Sequence, residues 1–314
     1  MENGQVWKPN PKLVLAALVT VQVLFGINYV VTKVVVGVFP PLLWASFRII
    51  VSSIFMLTVA FVSGHQHPRD GKKFFGPLVI FALLGIIINQ GSFLVGLRYT
   101  TATNSAVLNT LIPVFTLLLV TLRGQEPLTG RRVAGFVCAL TGVLFIRKFE
   151  EISFNNTTWI GDLLTVLNCL SYSFFLSFGK KFLERHDRFW TTFWLFAYGS
   201  VGLTCLGAND WMTFTWPHLN PPLLACMAFA IVGGTLLTYF LNFWALAHAR
   251  SSSVALFIYV QPIVASLLAW FWMGQTPTPR TAFSSALIFS GMLLGLSNSS
   301  SVSKKFDVTA PART

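Results

Sequence analysis

Charge is what this chain has least of. Charged residues make up 10% of its 314 positions, where a soluble domain carries about 25%. More than half of the residues are hydrophobic (54%) and mean hydropathy is +0.68. That composition excludes a water-soluble globular domain and indicates an integral membrane protein. Acids are scarcer still, with 10 Asp and Glu against 22 Lys and Arg. Of these acids only Asp162, at the start of the sixth predicted helix, and Glu126, just after the fourth, approach an apolar span. A proton or sodium relay normally runs through a buried acid, so ion coupling by that route is disfavoured, as is a cationic main substrate. Cysteine is also sparse. Cys138, Cys169, Cys205 and Cys226 all fall inside apolar spans, where they read as small packing residues, and neither a disulfide framework nor a metal site is indicated. Enzymatic signatures are missing: no H-E-x-x-H, no P-loop, no G-x-S-x-G and no clustered His or carboxylates. No catalytic residue, metal or cofactor is expected.

What the chain does have is apolar runs of bilayer-crossing length. Helices are predicted at about 13–37, 42–62, 75–97, 102–122 and 133–146, then at about 160–183, 189–206, 222–246, 252–272 and 281–296. The first run is too long for the core of a signal peptide and stays as a helix. Residues 1–12 form an N-terminal tail, 13–146 a first five-helix half, 147–159 a linker, 160–296 a second half, and 297–314 a polar, Ser-rich tail. The net charge of +12 is spread over short loops, which argues for membrane orientation and against nucleic acid. With both termini cytoplasmic, 16 Lys and Arg fall inside and five outside, with Arg48 within the second helix, in keeping with the positive-inside rule. The outward linker then carries two overlapping sequons, at Asn155 and Asn156.

The two halves repeat each other. An offset of 149 residues lays Gly85 on Gly234, Ala106 on Ala255, Pro113 on Pro262, Glu126 on Gln275 and Gly142 on Gly291, and an offset of 147 lays Lys33 on Lys180. Five helices is an odd number, so the copies enter the membrane in opposite senses. The expected fold is therefore all-α, with ten transmembrane helices as two inverted-topology repeats of five. Many secondary transporters are built this way, with the substrate at the midplane between the repeats.

Polar side chains at mid-depth need a reason, because hydrocarbon offers them no hydrogen bonds. Asn28, Asn89, Gln90, Asn109, Asn168, Tyr172, Tyr239, Asn242, Tyr259 and Gln261 lie on helices 1, 3, 4, 6, 8 and 9, three from each half. They are the candidate substrate-binding set, although interhelical hydrogen bonding accounts equally well for any one Asn. Trp44 and Trp244 are candidate flat walls, with a packing role the stronger reading for Trp44. Arg48, two turns into helix 2, either contacts substrate or snorkels to the outer surface. Lys33 and Lys180 either anchor the interfaces or mark the two mouths of a pathway. Pro113 and Pro262, each near mid-helix, remove a backbone donor and are candidate hinges. Helices 5 and 10 are almost wholly apolar and are expected at the periphery.

At this point the sequence resembles a known family. The stretches "LFGINYVVTK", "LLWASFRI", "GLRYTTATNSAVLNTLIPVFTLLL" and "GQEPLTGRRVAGFVCALTGVLFI" resemble the EamA repeat of the drug/metabolite transporter superfamily. "GDLLTVLNCLSYSFFLSFGKK" and "WALAHARSSSVALFIYVQPIVASLLAWFWMGQTPT" look like its second copy. The resemblance implies a ten-helix exporter or exchanger of small metabolites such as amino acids, in the cell membrane, working by alternating access around a cavity among helices 1, 3, 4, 6, 8 and 9. Two positions depart from the family pattern: Phe25 replaces its usual Trp before the helix 1 Gly, and Gln275 replaces the Glu after helix 9. A sugar-phosphate or nucleotide-sugar antiporter using Lys33, Lys180 and Arg48 is the alternative, and a non-transporting membrane scaffold is a further one. The expected partners are a small-molecule substrate and the lipid bilayer, with no nucleic acid; a homodimer is compatible with the sequence.

Overall fold

The computed structural model describes residues 10–68, 71–100, 105–106, 108–146, 158–273 and 279–296. Linker residues 147–157 with the two sequons, Gln275 and both chain ends lie outside the described residues. All regular structure among the described residues is helical.

The first half comprises α1 (Pro11–Val38), α2 (Pro41–Val62), α3 (Lys72–Tyr99), α4 (Leu111–Leu122) and α5 (Gly130–Ile146). The second comprises α6 (Thr158–Leu183), α7 (Arg188–Leu206), α8 (Pro221–His248), α9 (starting with Ser251–Leu256 and resuming at Gln261–Met273) and α10 (Pro279–Leu296). A short helix, Ala208–Thr213, comes after α7. Local chemistry sets several starts. Asn10 caps α1 by accepting from Lys12 N at 2.9 Å, with Pro11 in the first turn, where a missing N–H costs nothing. Asp187 caps α7 by accepting from Phe189 N and Trp190 N at 2.9 and 3.0 Å. Lys72 and Lys73, expected in a loop, instead open α3.

Among the described residues, five helical stretches are long and apolar enough to cross a membrane: Pro11–Val38, Pro41–Val62, Lys72–Tyr99, Trp159–Leu183 and Pro221–His248. The surface is greasy around the bundle, with Ile54, Phe61, Leu122, Val201, Phe271 and Leu293 all at least 60% exposed. Water would penalise such a surface, whereas lipid solvates it. The chain is an all-α, multi-pass membrane protein.

Each half packs chiefly on the other. Helix α1 lies against α8 and α9, and its counterpart α6 lies against α3 and α4; α2 packs on α7, α4 on α9, and α5 on α10. The α5–α10 seam is closed by small residues. A Cβ on Gly291 would sit 2.5 Å from Ala139 N and 2.6 Å from Gly135 O, so the two backbones touch. This pair lies apart from the central cavity, at the periphery as the apolar sequence implies.

Candidate functional site

Among the described residues four helices are interrupted, in two matching pairs. Both α3 and α8 widen into a π-helix, over Leu83–Ile88 and Val232–Leu237, and the offset of 149 superposes these segments residue for residue. A π-segment adds a residue to a turn and re-aims the side chains beyond it. The residues re-aimed are Asn89-Gln90 in one half and Thr238-Tyr239 in the other. Glycine makes the close approach possible at both places. A Cβ on Gly85 would lie 2.7 Å from Phe175 Cδ2, and one on Gly234 would collide with Asn28 Oδ1.

The second pair of interruptions comes just before the prolines. In the first half, Asn109 and Thr110 form a turn and α4 starts at Leu111; in the second, Phe257–Val260 is a 3₁₀ segment and α9 resumes at Gln261. Pro113 and Pro262 cannot donate to the carbonyls four residues earlier, those of Asn109 and Ile258. The Asn109 carbonyl instead accepts from Ile112 N at 3.0 Å, a tightened turn. The breaks therefore sit about one turn ahead of the prolines, beside the cavity.

That cavity lies between the halves and is small, about 60 Å³, room for a few water molecules. Its lining includes ten of the expected residues: Asn28, Arg48, Asn89, Gln90, Asn109, Asn168, Tyr172, Tyr239, Asn242 and Gln261. Repeat-equivalent positions face one another with altered chemistry. Phe93 in one half corresponds to Asn242 in the other, Ile112 to Gln261, Phe25 to Tyr172 and Tyr29 to Leu176. Duplication supplies the shape, and divergence supplies two unlike walls.

The polar groups are chained rather than scattered. Arg48 Nη2 donates to Gln90 Oε1, and Gln90 Nε2 donates to the Tyr239 hydroxyl. Tyr239 OH reaches Asn89 Oδ1 at 3.3 Å, Asn89 Nδ2 donates to Asn168 Oδ1 at 2.5 Å, and Asn168 Nδ2 to Asn109 Oδ1 at 2.6 Å. The chain ends where Asn109 Nδ2 meets Ser105 O at 2.9 Å. Separately, Tyr29 OH donates to Gln261 Oε1 at 3.0 Å, Gln261 Nε2 to Gln22 Oε1 at 2.6 Å, and Asn242 Nδ2 to the Tyr172 hydroxyl at 2.6 Å. Gln22 and Tyr29 were not legible as site residues, although Gln22 lies seven residues before Tyr29, two helical turns along one face of α1.

Five expected residues lie elsewhere. Trp44 is wholly buried but lies outside the lining, stacked on Phe47 at 5.9 Å and tilted against Phe39. Tyr259 falls in the 3₁₀ segment, which turns its ring away from the cavity and edge-on to Phe136. Lys33 and Lys180 do not line the cavity either. Lys33 Nζ donates to Leu97 O at 2.6 Å and Thr100 O at 2.7 Å, at the end of α3; Lys180 Nζ donates to Leu246 O at 3.1 Å and Ala249 O at 2.7 Å, at the end of α8. These acceptors are repeat-equivalents, so the two lysines are one device used twice, each binding the unpaired carbonyls at a neighbour's C-terminus. Trp244, the other candidate wall, lies in a separate cleft with His65, His186 and His248.

Arg48 does not snorkel. Its side chain is 1% exposed and is the one charge in the cavity lining among the described residues. Glu126 is buried too, at the end of α4, paired with Arg132 and accepting from Ser252 N at 3.2 Å and from the Ser252 hydroxyl. Glu126 thereby caps the start of α9. The 149-residue offset carries Glu126 to Gln275 and Arg132 to Thr281, so this ion pair belongs to one half alone. Among the described residues no group of His, Cys, Asp and Glu is placed to hold a metal.

Comparison with known proteins agrees with this architecture. The profile described as the EamA-like transporter family matches residues 12–148 and again 159–297. An uncharacterized transporter of Archaeoglobus fulgidus is 24% identical over 290 residues, covering 91% of this chain and 97% of the relative. The uncharacterized transporter YoaV of Bacillus subtilis is 21% identical, covering 90% and 96%. A solved crystal structure matches with a TM-score of 0.70 at 14% identity, covering 95% of this chain and all of that one, which speaks for the fold.

Proposed function

The chain belongs to the EamA-like transporter family, and from that premise we propose that it is a secondary transporter of small organic metabolites such as amino acids, an exporter or exchanger working by alternating access. It resides in the cell membrane with both termini cytoplasmic. The observation that carries the reading is the hydrogen-bonded cavity between the two repeats, walled by equivalent positions of each. A small chamber lined by hydrogen-bonded amides at a pseudo-two-fold interface suits a site that opens to one side and then the other. The matched breaks in α3 and α8, and in α4 and α9, supply the bending points. Neither lysine is left for a phosphate, since both are committed to carbonyls, which disfavours the sugar-phosphate alternative. The relatives' description as transporters and the absence of an enzymatic motif support a role without catalysis. Counterflow into proteoliposomes, run with a labelled metabolite panel, tests the proposal. At least one solute should accumulate above protein-free vesicles; uptake of none would overturn it.

A further inference from the structure

The charge in the cavity is not balanced. Arg48 is 1% exposed, and while its Nη2 donates to Gln90, its Nε and Nη1 have no hydrogen-bond partner among the described residues. A guanidinium has five donors in a planar fork, shaped for a carboxylate, and cannot shed its proton to escape burial. Among the described residues no Asp or Glu lines the cavity, and the rest of the polar lining consists of amides and phenols. The isolated charge belongs to the first half only, since the offset of 147 takes Arg48 to Leu195. A buried cation without a counter-ion is costly and marks function by default.

Resting on the transport reading above, we infer that the cavity takes small organic monoanions, with one carboxylate forked on the Arg48 guanidinium across Nη2 and one of its two unpartnered nitrogens, Nε or Nη1. One carboxylate neutralises the chamber, whereas a second would be left unmatched. An ammonium would find amide and phenol oxygens and the rings of Phe25, Phe93 and Tyr172 but no counter-charge, so within the metabolites proposed above simple carboxylates rank ahead of zwitterionic amino acids. The surrounding amides then bind the remaining hydroxyl or carbonyl groups. An arriving carboxylate also competes with Gln90 for the guanidinium. Because Gln90 also joins Tyr239 of the other repeat, seating the anion loosens a contact between the halves.

The test uses full-length protein in proteoliposomes, with matched acid and amide pairs: lactate with lactamide, and benzoate with benzamide. A charge-assisted hydrogen bond is worth roughly tenfold to a hundredfold in affinity, so each acid should be carried at least about tenfold better than its amide. R48Q, checked by gel filtration for a folded, monodisperse protein, should bring each pair within about twofold; R48K should keep part of the preference. Equal carriage of acid and amide by the native protein overturns the inference while leaving transport intact. So does a preference that persists in R48Q. If R48Q does not fold, lactate at saturation should still raise the native melting temperature where lactamide does not, and equal shifts overturn the inference. Carriage of neither acid nor amide in any pair, while other metabolites of the panel are carried, sinks this inference alone; failure of the whole panel sinks both.

Discussion

Gln90 and Tyr239 occupy the same position in the two halves, 149 residues apart, and are hydrogen-bonded to each other across the pseudo-two-fold axis. A contact between equivalent residues must lie on the axis that relates them. The side chains differ, an amide against a phenol, so the bond has a direction that a symmetric pair would lack. It also ties the charge of Arg48 to the seam between the repeats.

Breaking that tie should slow transport before it unfolds the protein. Tyr239→Phe keeps the ring among Phe25, Phe196 and Phe243 but leaves the buried Gln90 amide short of a partner, at a cost of about 1–3 kcal/mol. We expect initial uptake to fall about tenfold or more, with the gel-filtration profile unchanged. Native-like uptake would show that the bond is incidental.

The glycines of the wide turns should be intolerant in different ways. Gly234→Ala places a methyl against the Asn28 amide, a movable side-chain end in the cavity, whereas Gly85→Ala meets the Phe175 ring. Overpacking of this kind costs about 1–3 kcal/mol. Gly85→Ala should chiefly lower the melting temperature, and Gly234→Ala should chiefly lower transport. Melting curves and uptake measured on the same preparations would separate them; matching profiles for the two variants would contradict the assignment.

Lys33→Met and Lys180→Met should each lower thermal stability through loss of a carbonyl cap, by an amount on the order of 0.5–2 kcal/mol. Lys180→Met should also lose the 2.6 Å pairing with Glu184, an exposed contact of little weight. Neither variant should alter the ratio of acid to amide carried. A changed ratio in either would return the lysines to the pathway.

The buried pair Glu126–Arg132 invites a double-mutant cycle. Side-chain exposure is only 8% and 4%, so Glu126→Gln alone strands a guanidinium and should cost about 3–5 kcal/mol. The double change Glu126→Gln, Arg132→Gln should recover part of that loss. Melting temperatures of the two single variants and the double variant provide the measurement, and strict additivity would mean the two side chains are not coupled.

The repeat and most of the cavity were legible in the sequence because both leave marks that survive in a linear string. Prolines and glycines at constant spacing reveal a duplication, and an amide within an apolar run must find a partner somewhere. Other features left no such mark. Leu83–Ile88 is aliphatic apart from Gly85, and nothing in it announces a wider turn, which tertiary packing imposes. Trp44 shares a helical face with Arg48 but lies one turn nearer the helix start, where aromatic neighbours enclose it. Tyr259 had suitable depth and chemistry, yet the local 3₁₀ winding altered its direction. Lys33 and Lys180 matched as a pair, but only coordinates reveal that helix ends, rather than a solute, occupy their donors.

The position of the wide turns dates them. Because they sit at the same place in both copies, parsimony puts the extra residue in a single half-length ancestor, before the gene was copied and joined. That ancestor could enclose a chamber only by meeting a twin inserted the other way up, and both walls were then identical. Fusion freed each wall to change on its own, and an arginine whose repeat-equivalent is Leu195 is what such freedom permits: a chamber with a charge on one side only, where a pair of identical subunits would have supplied the same residue twice.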